Sequence, residues 1–228
     1  MANKEWKDHA RYVVESRAIP NMISGLKPSQ MFYLYSSIKN SKDEFKKVSA
    51  VAGVISDYGY QHGEQSAAVT GQLMASEWAN NICIIQGRGG FGSRLVQEAG
   101  APRYTYTKIH DNFFKYYKDL GLSPKHTDPE IEPPFFYIPV IPMVLINGVK
   151  GVATGFATNI LPRDPKDVAI ACMEYIKFGK IKTTPKIKFP DFKGTITTDE
   201  TGKQFCNGVI DKQCKLTELY ITEALSVS

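Results

Sequence analysis

The 228-residue sequence predicts an α+β protein: a winged helix-turn-helix unit over residues 1–110 and a second, mixed unit over residues 111–228. Three observations carry that prediction. Short helical periods come one after another up to Trp78. Two strand-like runs then flank a glycine-rich stretch, QGRGGFGSR (86–94), in the order of a wing following its helices. The last fifty residues alternate polar and apolar positions in short runs separated by turn residues, as antiparallel strands do.

The elements follow in order. Residues 5–17 have helical spacing, with Trp6, Ala10, Val13 and Val14 on one face. AIPNMISGLKP (18–28) breaks that helix with two prolines and a glycine. Pro28, tolerated in a first turn, opens a second helix over Ser29 to Lys39. A third is expected over Lys46 to Ser56, with Val48, Val51, Ala52 and Ile55 apolar. A fourth, over Glu64 to Trp78, has an acidic first turn that suits the helix dipole and occupies the place of a recognition helix. Ile82 to Ile85 and Tyr104 to Ile109 are the expected strands of the wing. Beyond them come an aromatic helix at 111–120, a proline-rich stretch, an extended apolar segment from Tyr137 to Ile146, a turn at Asn147-Gly148 and a small-residue loop at 149–158. A helix over Asp164 to Lys177 follows, opened by Pro165 and ended near Gly179. The terminal runs GTITTD, KQFCNGVI and KLTELYIT read as strands, with turns at Thr201-Gly202 and Asn207-Gly208.

Composition narrows the class. The chain is 43% hydrophobic and 22% charged, enough to build a core. Its net charge of +5 is compatible with nucleic acid, although many enzymes share such a balance. The charged start MANKEWKDHARYVV has no apolar stretch of the signal-peptide kind, and IPVIPMVLING is short and broken by prolines. Cys83, Cys172, Cys206 and Cys214 are scattered and form no CxxC pair, which argues against a zinc site or disulfide framework and for reduced thiols in the cytoplasm.

The chemistry concentrates in residues 86–109. Five glycines allow close backbone approach, and Arg103-Tyr104 opens a run in which Tyr104, Tyr106 and Lys108 alternate with Thr105, Thr107 and Ile109. Arginine binds phosphate in a fork, and a tyrosine oxygen can act as a nucleophile. Tyr104 therefore reads either as a group that attacks a phosphodiester or as an ordinary surface tyrosine at a strand. His62 in its turn, Arg17 at a helix end and Val152 between glycines each have a plain structural reading too.

Four collinear stretches decide between these readings: SRAIPNMISGLKPSQ (16–30), YGYQHGEQSA (58–67), QGRGGFGSR with PRYTYT (86–107), and FYIPVIPMVLINGVKGVATGFATNILP (136–162). Together they make the chain resemble the DNA cleavage-reunion subunit of type IIA DNA topoisomerases, a group that includes the medium subunit of T-even-type phages and the gyrase A subunit. The resemblance implies a winged-helix DNA-cleavage domain followed by the base of a tower-like α/β domain. It implies that Tyr104 attacks the DNA backbone and stays joined to a 5′ phosphate, with Arg103, Arg17 and His62 around the scissile phosphate. It implies DNA contacts by Lys27, Gln30, Ser66, Arg88 and Arg94, and a wedge between base pairs at Val152. Phenols ionise only near pH 10, so attack at neutral pH needs the positive charge that such arginines supply.

The resemblance also implies partners: double-stranded DNA, a second copy of the chain, and a Toprim/ATPase subunit that holds the Mg²⁺ and binds the ATP. No GxxxxGK[ST] loop is present, and Asp128, Glu130 and Glu132 read as a solvated turn, so no metal site is expected on this chain. The departures are Met31 where a basic residue is usual, Gln61 in place of a histidine, Val152 in place of isoleucine, and an end at YITEALSVS before the remaining tower and coiled coil. Those later parts are expected to be absent, cut off, or carried on another chain. Two functions stay open on these grounds: a DNA-cleaving subunit that works in a phage-infected host cytoplasm, or a truncated homologue that binds and bends DNA without strand passage.

Overall fold

The computed structural model describes residues 2–153, 155–210 and 221–223, with the backbone alone at 2, 3, 16, 17, 210 and 221–223. The N-terminal helix α1 (Ala2–Val13) continues into one wide turn over Val14–Ala18. Helices α2 (Pro28–Asn40), α3 (Val48–Gly53) and α4 (Glu64–Ala75) pack against a three-stranded antiparallel sheet. Its strands are β1 (Lys46–Lys47), β2 (Ile85–Arg88) and β3 (Tyr106–Ile109), with β3 in the centre. In register, Ile85 faces Ile109, and Lys47 and Arg88 both face Tyr106. This is the helix-then-wing order expected of residues 1–110.

Several boundaries differ from expectation, each for a tertiary reason. The third helix starts at Val48 rather than Lys46, because Lys46 and Lys47 are captured as an edge strand by β3. It also stops at Gly53, and a 3₁₀ turn over Ile55–Tyr58 carries the chain on. The apolar period held nonetheless: Val48, Val51, Ala52 and Ile55 are all buried. α4 ends at Ala75 instead of Trp78, where Ser76 turns extended and the Trp78 indole donates to the Phe91 carbonyl at 2.9 Å. The first wing strand lies at Ile85–Arg88, three residues later than the apolar run suggested. Ile82 and Ile84 are buried, but outside the ladder. Tyr104 precedes β3, in a turn closed by its own N–H on the Ala101 carbonyl at 2.8 Å.

In the second half, α5 covers only Asp111–Tyr116, and a 3₁₀ turn follows at Leu120–Leu122. The segment expected to be extended up to Ile146 closes with the short helix α6 (Met143–Asn147), started after Pro142. The expected loop at 149–158 is a hairpin, β4 (Val149–Ala153) with β5 (Phe156–Ile160). Small residues conceal a strand pair when burial is one-sided and alternation is weak. Helix α7 (Pro165–Phe178) is as expected: the Asp164 carboxylate accepts the Lys166 N–H at 2.8 Å, and Gly179 closes it with φ +67°. Strands β6 (Thr195–Thr198) and β7 (Gln204–Asn207) form a hairpin around Thr201-Gly202. Asn207-Gly208 is not a hairpin turn; it passes the chain to β8 (Val209–Ile210), which pairs with β9 (Ile221–Glu223). The rest of the expected KLTELYIT strand lies outside the described residues.

One buried cluster runs through both halves. It joins Tyr33, Leu34, Ile55, Ile85 and Ile109 to Phe113, Tyr117, Ile146 and Val168. The Tyr117 hydroxyl reaches back to the Ser24 carbonyl at 3.2 Å. The seam is locked by two asparagines. Asn147 exchanges two 2.9 Å hydrogen bonds with the backbone of Ile82. The Asn81 amide donates to the carbonyls of Ile146, Arg163 and Lys188, three separate segments of the second half. Replacing Asn81 with alanine strands those carbonyls. The expected cost is about 1–3 kcal/mol, read from the denaturant midpoint.

Candidate nucleic-acid interface

The Tyr104 ring is 67% exposed, while the backbone beneath it is held from three sides. From the start of α3, Val48 N–H donates to the Thr105 carbonyl at 2.9 Å and Ser49 N–H to the Pro102 carbonyl at 3.1 Å. From α4, the Gln72 amide donates to the Gly100 carbonyl at 2.6 Å and to the Thr105 hydroxyl at 3.0 Å. From the glycine loop, Gly89 lies against the Tyr104 carbonyl with φ +121°, a conformation that side-chain-bearing residues avoid. An exposed ring thus stands on a fixed platform. The alternation read from the sequence holds here: Thr105, Thr107 and Ile109 are buried, and Tyr104 faces water.

The Arg103 guanidinium lies 4.9 Å from the centroid of the Tyr104 ring. This stacking leaves its in-plane N–H groups free to bind an oxyanion beside the phenol. The other expected site residues lie on other elements. His62 packs edge-on against Tyr60 at 5.2 Å and near Tyr12 at 6.4 Å, in a cleft of about 670 Å³ that Tyr12 and Glu15 also line. Arg17 sits on the wide turn Val14–Ala18, and its side chain lies outside the described residues.

The expected DNA contacts are spread over several elements. Gln30 is used locally, its side-chain oxygen capping α2 through the Lys27 N–H at 2.9 Å. The Lys27 ammonium is half-buried and donates to the Lys150 carbonyl at the edge of β4; burial lowers its pKa. Met31 is buried in the core, not displayed on the loop where a basic residue would meet phosphate. Ser66 is exposed on the first turn of α4. Arg94 bonds the Pro190 carbonyl and lies 5.5 Å from the Phe192 ring, tying the glycine loop to the second half. Val152 is 75% exposed on β4, paired with Ala157.

The hairpin that carries Val152 rests on the Arg17 turn. A methyl group at Gly151 would run into the Ala18 carbonyl. Gly151→Ala therefore lifts β4 away from that turn and costs about 1–3 kcal/mol of overpacking, measured as a lowered denaturant midpoint.

Residues 17–224 match the family model for the A subunit of DNA gyrase/topoisomerase IV. The chain belongs to that family. It is 44% identical over 218 residues to the DNA topoisomerase medium subunit of Enterobacteria phage T4, covering 94% of this chain and 49% of that protein. It is 36% identical over 191 residues to DNA topoisomerase 2 of Bombyx mori, covering 79% of this chain and 12% of that one. Among solved structures, the DNA-binding, cleavage and re-ligation domain of Plasmodium falciparum topoisomerase II superposes with a TM-score of 0.83 at 31% identity, over 93% of this chain and 30% of the other. The chain thus spans about half the length of the phage relative and a smaller part of the others.

Within this member of the gyrase/topoisomerase IV family, the described residues contain no cluster of three His, Cys, Asp or Glu able to hold a metal. The Asp128 carboxylate accepts the Glu130 N–H at 2.9 Å, and Glu132 accepts the Tyr35 hydroxyl at 3.0 Å. These oxygens serve a turn and a packing contact. Among the described residues no helix is long and apolar enough to cross a membrane. Sequence reasoning missed one group of residues: Phe45, Lys47 and Lys108, which β-pairing gathers around Arg88. The available signal was the polar-apolar swing of EFKKV beside YTKI, overridden by the helical period that begins at Val48.

Proposed function

We propose that this chain is the nucleophile-bearing part of a type II DNA topoisomerase, with residues 1–110 as the cleavage unit and 111–228 as the base of a tower. The observation that carries this reading is the exposed Tyr104 ring on its clamped turn, beside Arg103, within the span that the family model matches. The Tyr104 oxygen attacks a backbone phosphorus, the bond to the 3′ oxygen breaks, and the phenol proton ends on that departing hydroxyl. The phosphotyrosine diester keeps the energy of the broken bond, so the 3′ hydroxyl reseals the strand by the reverse reaction. Arg103 stabilises charge on the phosphate in both directions. Arg17 and His62 join this site in the assembled complex; Lys27 and Gln30 shape the loop under the DNA; Ser66, Arg88 and Arg94 face its backbone; and Val152 enters the base stack.

One Tyr104 cuts one strand, so the working unit holds two copies of the chain around a two-fold axis. A Toprim/ATPase subunit supplies Mg²⁺ and ATP for strand passage, and the setting is the host cytoplasm. A duplex labelled at one end or the other tests the polarity. After denaturation the 3′-end label should travel with the protein and the 5′-end label should not; the opposite pattern rejects a 5′ link. Binding with bending but no adduct, in the presence of Mg²⁺ and the partner subunit, would leave only the DNA-bending alternative.

A further inference from the structure

We propose that the outer face of the β1–β3–β2 sheet is a DNA-backbone contact that continues from Tyr104 and holds the duplex flanking the cut. This rests on the cleavage reading above. The face is laid out by the register. Lys47, Tyr106 and Arg88 form one row across the three strands, which spans about 10 Å at the usual strand separation. One row further along, Lys108 stands beside Gln86. The rings of Phe45 and Tyr106 are half-buried and make a floor on which the cations are arranged. The Arg88 guanidinium lies 4.9 Å from Phe45 and 5.1 Å from Tyr106, and the Lys108 ammonium lies 5.3 Å from Phe45.

Charge complementarity selects the occupant. Among the described residues no carboxylate lies within ion-pair distance of Lys47, Arg88 or Lys108; the neighbouring pair is Lys46 with Glu44, at 3.9 Å. A guanidinium stacked on rings keeps its edge donors for phosphate, which binds in a fork. The face is also contiguous with the nucleophile. Tyr104 stands on the turn that leads directly into β3, two residues before Tyr106, and along the strand Tyr106 and Lys108 lie about 6.6–6.8 Å apart. A strand whose scissile phosphate sits at Tyr104 therefore runs out over these cations. A simpler role for lysines on short edge strands is to deter edge-to-edge pairing, and that role makes no contribution to DNA affinity.

The test uses Lys47→Gln and Lys108→Gln, singly and together, in the full chain. Binding of a fluorescent duplex is followed by anisotropy over a salt series. Each lost phosphate contact should lower the slope of log affinity against log salt by about 0.9, and the double variant by about 1.8. Lys177→Gln with Lys180→Gln, an equal charge loss at the end of α7, should leave the slope unchanged. A double-variant slope equal to that of the wild type, or to that of the α7 control, overturns the proposal. So does an unchanged slope with weakened association to the partner subunit, which would assign the face to an acidic protein surface, and so does an unchanged slope with increased self-association, which would assign it to edge protection. Wild-type protein that binds no duplex sinks the cleavage reading itself. Wild-type protein that binds duplex and forms the adduct, with variants of unaltered slope, sinks only this inference.

Discussion

Tyr104→Phe should abolish the covalent protein–DNA adduct while leaving both the fold and duplex binding close to wild type. The hydrogen bonds from α3 and α4 that hold the turn use backbone atoms, the Gln72 amide and the Thr105 hydroxyl, never the phenol oxygen. The ring that stacks under Arg103 at 4.9 Å is retained in phenylalanine. An exposed substitution of this kind changes stability by no more than about 0.5 kcal/mol. Loss of the proposed nucleophilic oxygen should remove the pathway altogether, so the effect on cleavage should be limited only by the detection of trapped complex. Trapping with Mg²⁺ and the partner subunit, run beside an anisotropy titration, separates the two quantities. An adduct that persists in the phenylalanine variant would transfer the role to another hydroxyl, with Tyr106 as the neighbour of the same parity.

Gly71→Ala should destabilise the chain by about 1–3 kcal/mol or more, against the direction that helix propensity predicts. Gly71 lies inside α4, where glycine costs about 1 kcal/mol relative to alanine. A methyl group placed there would run into the Tyr33 ring. That ring is fully buried, and its hydroxyl shares a 2.7 Å hydrogen bond with the Thr107 hydroxyl on β3. Making room means moving Tyr33 and opening that bond, which strands two buried hydroxyls. Because Thr107 alternates with Tyr106 on the central strand, the disturbance reaches the wing as well as the helix. Chemical denaturation of the wild type and the variant decides the sign: a raised midpoint in Gly71→Ala would mean that the contact of α2 with α4 is looser than described.

How far the sequence could be read depended on the range of the interactions involved. Helix α7 was legible at both ends because its signals are local: Asp164 and Pro165 at one end and Gly179 at the other. The parity of residues 104–109 was legible because alternation reports a one-sided burial that the strand carries in its own composition. Strand β1 was hidden, since Lys46 and Lys47 have no strand preference of their own and are extended only because β3 is there to pair with them. The hairpin bearing Val152 was hidden for a related reason. Its residues are small, and what makes them a strand pair is the partner strand together with the close approach of Gly151 to Ala18.

For the candidate site the division is the same. Residue order alone specified an α+β chain with helices before a wing, and a tyrosine beside an arginine after a glycine-rich loop, because each of these depends on neighbours within a few positions. Tertiary structure alone decided that Tyr104 stands exposed on a turn clamped by α3 and Gln72, that Lys27 serves a carbonyl on β4, that Met31 is core, that His62 packs against Tyr60 in a cleft, and that Lys47, Arg88 and Lys108 share one face. Each of those facts is a contact between residues distant in the chain, and such contacts are selected by the packing of the whole core rather than by the preference of any segment.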